Sequence, residues 1–184
     1  DVIYLFLAKG FEEIEALAPV DLLRRAGKRV ATVAVGSERE VVGAHGIAVR
    51  ADMTIDEIGV GADAEMLILP GGMPGTKNLA ACGRLSELLV SAAKDEKTYI
   101  AAICAAPSVL GGLGILNGKK ATCYPGFEAY LEGALISDER VVADGRILTA
   151  AGMGVAVEFG LAAVGMLCGK EEAERLRSSV IADR

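Results

Sequence analysis

Uniformly apolar runs alternate with longer amphipathic stretches through most of this chain. Four runs have the length and composition of buried strands: 2–8, 29–35, 66–69 and 99–103. Two longer stretches, 12–26 and 79–93, predict helices. Pro19 is expected to kink or divide the first helix, and Gly27 to end it. Strands that alternate with helices predict an α/β fold, with a mostly parallel central sheet covered by helices on both faces.

Turn residues indicate where the remaining strands begin and end. Turns at 43–46 and 144–145 predict two hairpins, and a further short strand is predicted at 121–124. The chain after Val155 is predicted to be helical, with a break at Gly169.

Three turns of unusual composition follow predicted strands. They are Lys9-Gly10, Pro70-Gly71-Gly72 and Cys104-Ala105-Ala106-Pro107. In parallel α/β sheets, ligands bind beyond the carboxyl ends of the strands. We therefore predict that these turns lie close together and form the functional site.

Length, charge and composition limit the classes to which this protein can belong. The 184 residues are the size of one domain, so 1–184 is expected to form a single domain. The net charge is −6 and no basic run occurs, which argues against a nucleic-acid partner. The longest apolar stretch, 150–168, contains Glu158 and several glycines, which favours a packed helix and no membrane partner. The first residues form a strand rather than a basic leader, so a cytoplasmic protein is expected.

Cys104 differs from the other cysteines of the chain, which are Cys82, Cys123 and Cys168. Their spacing indicates neither a metal site nor a disulfide framework, and the other three fit small buried hydrophobes. A strand is predicted to end at Cys104, small residues flank it, and Pro107 fits the first turn of a helix. This is the layout of a nucleophile elbow. Because a helix start stabilises an anion, we expect a lowered pKa for this thiol.

Three acids and a glycine pair are candidate partners of the cysteine. Glu12 and Glu13 are explained by the preference of a helix start for acids. Glu15 lies where the apolar stripe of the helix begins, and its spacing fits equally a surface acid or a buried acid that faces the cysteine. Burial would raise the pKa of Glu15, which would then donate to a thiolate or move a proton. Gly71 and Gly72 fit either a tight turn or backbone N–H groups that approach an oxyanion.

Three segments together resemble the ThiJ/PfpI superfamily, in the branch that includes the Parkinsonism-associated deglycase. They are AKGFEEIE at 8–15, LPGG at 69–72 and AAICAAP at 101–107. The similarity extends over essentially the whole chain. It implies a flavodoxin-like three-layer α/β/α sandwich with a mostly parallel central sheet, a homodimer, and no metal or organic cofactor.

The resemblance also implies roles for individual residues. Cys104 would be the nucleophilic or oxidisable cysteine, Glu15 a protonated acid, and the N–H groups of Gly72 and Ala105 the backbone donors. Activities ascribed to the family are conversion of methylglyoxal to lactate, repair of early glycation adducts, and chaperone or oxidative-stress roles. An older label is thiamine or thiazole biosynthesis. The expected partners are therefore small reactive carbonyls or glycated groups.

Two positions depart from the family pattern. Tyr124 stands where many members have a histidine, and a phenol with an unperturbed pKa of about 10 is a poorer base near neutrality. Ala105 follows the cysteine where peptidase-like members have a histidine, which argues against peptidase activity. The single histidine, His45, is interpreted as a turn residue. It aligns roughly with a basic residue near the pocket of relatives, so a supporting role stays open.

Two functions from different classes remain. In the first, Cys104 attacks a small reactive carbonyl and Glu15 moves a proton between its carbon atoms. In the second, Cys104 is oxidised to a sulfinate and the protein acts as a redox sensor or chaperone. A class I amidotransferase or a Cys–His hydrolase would need a histidine downstream of Cys104, and the sequence has none. A flavodoxin proper would need a hydroxyl-rich phosphate loop after the first strand, where this chain has acids.

Overall fold

The structure is a computed structural model that describes residues 1–59 and 63–183. Within these residues the strands are β1 (Val2–Leu7), β2 (Val30–Ala34), β3 (Glu40–Val42), β4 (Ala48–Arg50), β5 (Met53–Thr54), β6 (Ala64–Leu69), β7 (Tyr99–Ile103), β8 (Lys120–Ala121), β9 (Leu135–Ile136), β10 (Val141–Asp144) and β11 (Ile147–Ala150). The helices are α1 (Glu13–Arg25), α2 (Gly75–Ala81), α3 (Gly83–Lys94), α4 (Pro107–Gly112), α5 (Ala156–Cys168) and α6 (Lys170–Ser179).

Seven strands form the central sheet, in the order β10-β11-β7-β6-β1-β2-β5. Every neighbouring pair is parallel except β10 and β11, which form an antiparallel hairpin. The predicted mostly parallel sheet is therefore confirmed. The first predicted hairpin is also present, as β3 and β4 outside the central sheet.

The side chains of β1 alternate between two apolar cores, because successive side chains of a strand point to opposite faces. Ile3, Leu5 and Leu7 belong to the core that α1, α5 and α6 cover. Tyr4 and Phe6 belong to the core that α3 and α4 cover. Burial on both faces explains why these strands read as uninterrupted apolar runs, and the result is a three-layer α/β/α sandwich.

The prediction of one helix at 79–93 is wrong. The helical segment begins at Gly75, and the extended backbone of Cys82 divides it into α2 and α3. Glycine, here Gly83, is a poor residue for a helix interior. Leu79 and Leu85 lie on opposite sides of the break and pack in the same core, so the apolar pattern continues across it.

Pro19 was predicted to kink or divide α1, and the division does not occur. Pro19 lies inside α1 and is buried, and α1 continues to Arg25. Proline removes one backbone hydrogen bond, and the packing of the apolar face of α1 against α5 outweighs that loss. Gly27 has φ +76° and follows the end of α1, as predicted.

The strand predicted at 121–124 is shorter than expected, because β8 ends at Ala121. The N–H of Thr122 donates to Thr149 Oγ1 at 3.0 Å, and the N–H of Tyr124 donates to the carbonyl of Cys104 at 2.8 Å. These bonds direct the segment towards the end of β7. The predicted helical C-terminal part is confirmed, with Gly169 at φ +92° between α5 and α6. None of the helices in the described ranges is long and apolar enough to cross a membrane.

Candidate active site

Two turns interlock beyond the carboxyl ends of β1 and β6. The N–H of Glu12 donates to the carbonyl of Gly71 at 2.9 Å, and the N–H of Gly75 donates to the carbonyl of Gly10 at 3.1 Å. Gly72 has φ +91°, a conformation that favours glycine, and a Cβ there would overlap the N–H of Glu12. The structure thus brings together the turns that the sequence predicted to meet.

The backbone of Gly71 lies against both Cys104 and Glu15 and leaves no room for a side chain. A Cβ at Gly71 would lie 2.7 Å from Cys104 Cβ and 2.7 Å from Glu15 Oε2. Any side chain would therefore displace one of the two groups. Gly71 is a glycine because two candidate site residues approach its backbone at once.

Cys104 occupies a strained elbow between β7 and α4. Its φ is +65°, which a residue with a side chain adopts only at a cost of about 1–3 kcal/mol. The N–H of Cys104 donates to the carbonyl of Ala150 at 2.9 Å, and its carbonyl accepts from the N–H of Tyr124. The sharp turn predicted from the small residues around Cys104 is present.

Glu15 is a fully buried carboxyl group beside Cys104. The N–H of Gly71 donates to Oε2 at 2.9 Å. Oε1 has no aligned hydrogen-bond partner among the described residues, although the carboxyl lies close enough to Cys104 for each group to shift the other's pKa. Burial raises the pKa of Glu15 to about 7, against the hydrogen bonds from Cys104 and Gly71 and together with the charge of Glu12.

The expected lowering of the thiol pKa is wrong. Burial first, and then the adjacent Glu15 carboxylate, raise the pKa of Cys104 to about 12. Hydrogen bonds from the N–H groups of Ala105 and Gly72 act in the opposite direction and are outweighed. The helix that follows Cys104 has only six residues, so its dipole contributes little. Near neutrality the Cys104 thiol therefore keeps its proton, and the Glu15 carboxyl is partly ionised.

The sequence interpretation explained Glu13 by the preference of a helix start for acids, and the structure gives this residue a further role. Its side chain is 4% exposed. Oε1 accepts from the N–H groups of His45 at 2.7 Å and Ile47 at 3.4 Å, and Oε2 contacts His45 Nδ1 at 2.9 Å. Burial acts to raise the pKa of Glu13, but these hydrogen bonds outweigh it and lower the pKa. Glu13 thus fastens the β3–β4 hairpin to α1.

Glu12 and His45 complete this cluster. Glu12 Oε2 accepts from the N–H of Glu15 at 2.9 Å and caps the helix. His45 is largely exposed, and its hydrogen bond to Glu13 raises the pKa of the imidazole. Within residues 1–59 and 63–183, Glu12, Glu13 and His45 are the one set of three ligand residues whose donor atoms lie within 4.8 Å of one another. Both carboxylates already accept hydrogen bonds, which account for the arrangement by themselves.

Tyr124 lies beside the elbow with its side chain half exposed. Its ring forms an edge-to-face pair with Phe127, with centroids 6.5 Å apart, and Phe127 lies 6.0 Å from the ring of Tyr130. The sequence interpretation named Tyr124 but missed Phe127 and Tyr130. The concentration of the few aromatic residues at 124–130 was the available signal.

The sequence matches the DJ-1/PfpI family over residues 1–166. It is 38% identical over 176 residues to protein DJ-1 homolog A of Arabidopsis thaliana, covering 95% of this chain and 44% of that protein. The chain therefore spans less than half the length of this relative. It is 34% identical over 147 residues to deglycase PH1704 of Pyrococcus horikoshii, covering 77% of this chain and 84% of that protein.

The fold is also closely similar to that of a solved structure. The solved structure of oxidized Toxoplasma gondii DJ-1 is 32% identical, with a TM-score of 0.93 over 98% of this chain and 97% of that chain. The predicted flavodoxin-like sandwich is confirmed.

Proposed function

Because the chain belongs to the DJ-1/PfpI family, we propose that it is a cysteine-dependent, cofactor-independent enzyme that acts on small reactive carbonyls or their glycation adducts. The observation that carries the proposal is the buried carboxyl of Glu15 beside Cys104, because its pKa of about 7 lets it take the proton of the thiol near neutrality. A reaction that moves a proton between neighbouring carbon atoms needs a nucleophile and an acid-base group in this relation.

The first step with methylglyoxal is addition of the Cys104 sulfur to the aldehyde carbon. The Glu15 carboxylate takes the proton of the Cys104 thiol, which leaves sulfur as the thiolate that attacks. A carbon–sulfur bond forms, the carbonyl π electrons move to oxygen, and the N–H groups of Gly72 and Ala105 stabilise the charge. Glu15 gives its proton to this oxygen, which yields a hemithioacetal and leaves Glu15 as a carboxylate.

The second step is proton transfer between the two carbon atoms. Glu15 removes the proton from the carbon bonded to sulfur and passes it to the ketone oxygen, which gives an enediol. Glu15 then takes the proton of the hydroxyl on the sulfur-bearing carbon, which becomes a carbonyl, and delivers this proton to the neighbouring carbon. The product is a thioester of lactate on Cys104. Water then cleaves the carbon–sulfur bond, releasing lactate and restoring the thiol. The pKa of Glu15, about 7, suits a group that alternates between acid and base near neutrality.

The test is lactate formation from methylglyoxal by the wild type, Cys104→Ser and Glu15→Gln. We expect turnover by the wild type only, because serine is a poorer nucleophile and glutamine carries no transferable proton. Gly36→Ala is a matched control, since a Cβ at Gly36 meets no atom within 4 Å. Turnover that persists in Cys104→Ser, or that is absent from the folded wild type, would contradict the proposal.

A redox sensor or chaperone is the second candidate function. The unpartnered Oε1 of buried Glu15 favours it, because a protonated carboxyl there would donate to an oxygen added to Cys104. The measurement is intact mass after peroxide treatment of the wild type and Cys104→Ser. Oxygen addition that depends on Cys104 supports this function, and unchanged mass of the wild type removes it.

We also propose that the protein forms a homodimer. Ile14 and Leu17 of α1 and Val157 of α5 are exposed, and α1 packs beside α5. Apolar side chains grouped on one face indicate an interaction surface. Light scattering should give twice the chain mass for the wild type, and Leu17→Glu should give the monomer. The cytoplasmic location stays a prediction.

A further inference from the structure

Three aromatic side chains form a continuous row beside the Cys104 elbow. The chain has four tyrosines, four phenylalanines and no tryptophan, and Tyr124, Phe127 and Tyr130 all lie within seven successive residues. Their rings follow one another at 6.5 Å and 6.0 Å. Phe127 is partly buried against the core under α4, whereas the residues Tyr124 and Tyr130 are 51% and 60% exposed. The row therefore has a fixed centre and two ends open to solvent.

Backbone contacts join this row to the elbow. The N–H of Tyr124 donates to the carbonyl of Cys104 at 2.8 Å. A Cβ at Gly152 would lie 3.4 Å from Tyr124 Cδ2, so the ring packs on the turn that follows β11. The end of β11 is itself bonded to Cys104, through Ala150. At the other end of the row, the backbone of Tyr130 lies against Gly111 of α4, the helix that begins after the elbow.

The exposed rings need an explanation beyond packing. Tyrosine is amphipathic and commonly serves binding surfaces, where its ring offers rigid contact area at a small entropic cost. Stacking on such rings requires a flat partner, and the backbone bond of Tyr124 to Cys104 places this end of the row next to the elbow.

We propose that Tyr124, Phe127 and Tyr130 form a specificity wall that makes the Cys104 site prefer α-oxoaldehydes bearing an aromatic group over methylglyoxal. This inference rests on the proposed function. The aldehyde carbon reacts with Cys104 as before, and the aromatic group on the neighbouring carbonyl carbon stacks on the wall. Ring stacking of ordinary strength predicts a preference of about tenfold in kcat/KM.

The test is the ratio of kcat/KM for phenylglyoxal to that for methylglyoxal, with Cys104→Ser as the background. Tyr124→Phe keeps the ring and should keep the ratio. Tyr124→Leu keeps an apolar side chain without a ring and should lower the ratio about tenfold. Tyr130→Leu should lower it by a smaller factor. A ratio that is unchanged in Tyr124→Leu while methylglyoxal turnover persists would overturn the wall and leave the proposed function intact.

A second measurement, the alkylation of Cys104, tests the specificity wall independently of carbonyl turnover. The rate of Cys104 alkylation by iodoacetanilide, which carries a phenyl group, is compared with that by iodoacetamide, which carries none. The wild type and Tyr124→Phe should favour the phenyl reagent, and Tyr124→Leu should not. This comparison holds even if neither glyoxal is turned over, an outcome that contradicts the proposed function. Equal reagent preference in Tyr124→Leu and the wild type would overturn the wall.

Discussion

Replacing Glu15 with glutamine should remove a pH-dependent loss of stability. Burial raises the pKa of Glu15 from 4.5 to about 7. Because the folded pKa lies above the unfolded one, the stabilising contribution is complete below about pH 4.5 and is lost as the pH rises through about 7. A difference of about 2.5 pKa units corresponds to roughly 3 kcal/mol. Glutamine has nearly the same shape and no charge, so Glu15→Gln should not show this loss.

The measurement is urea unfolding of the wild type and Glu15→Gln between about pH 4 and about pH 8, below the range in which the thiol ionises. The difference in unfolding free energy should grow in favour of the variant by roughly 3 kcal/mol over this interval. Glu13→Gln is a matched control. The pH dependence of its unfolding free energy should have the opposite sign, because hydrogen bonds lower the pKa of that buried carboxyl. Its stabilising contribution is present near neutrality and is lost on acidification. Parallel curves for the wild type and Glu15→Gln would refute the reasoning.

Two further predictions concern residues around the site. Gly71→Ala should destabilise the protein by about 1–3 kcal/mol and abolish turnover, because the new Cβ overlaps two site residues. Thermal unfolding and the lactate assay measure this, and stability equal to that of Gly36→Ala would contradict it. Thr149→Val should cost about 1–3 kcal/mol, because it leaves the buried N–H of Thr122 unpaired. Urea unfolding should show that Thr149→Ser retains this stability, and an equal loss in both variants would refute the role of the hydroxyl.

The sequence predicted those parts of the site that depend on residues close to one another along the chain. Uniformly apolar runs mark strands buried on both faces, and the strand ends then fix where the turns meet. The elbow at Cys104 follows from small flanking residues and Pro107, which are local requirements of a sharp turn. The spacing of Glu15 fitted a surface acid and a buried acid equally, and the structure shows the buried one, with a raised pKa.

The environment of Glu13 and the pKa of Cys104 depend on distant segments. Glu13 is buried because the hairpin residues around His45 and Ile47 fold over it, and the spacing of acids along α1 contains no sign of that contact. Cys104 is beside a carboxylate that α1 supplies, which outweighs the local effect of a short helix start. Local sequence gives the shape of the elbow, whereas the tertiary fold decides its electrostatics.

The reactive unit is therefore the pair of Cys104 and Glu15 rather than the cysteine alone. Near neutrality the thiol holds its proton and the carboxyl is partly ionised, so the nucleophile forms when the carboxylate takes the proton of the sulfur. The backbone donors oppose one another, because the N–H groups of Ala105 and Gly72 stabilise the thiolate and that of Gly71 stabilises the carboxylate. Two of these three donors belong to the glycine turn after β6. That turn positions the two groups, and its N–H groups also influence whether the proton lies on the sulfur or on the carboxyl. The state with the proton on the carboxyl has the thiolate that attacks a carbonyl.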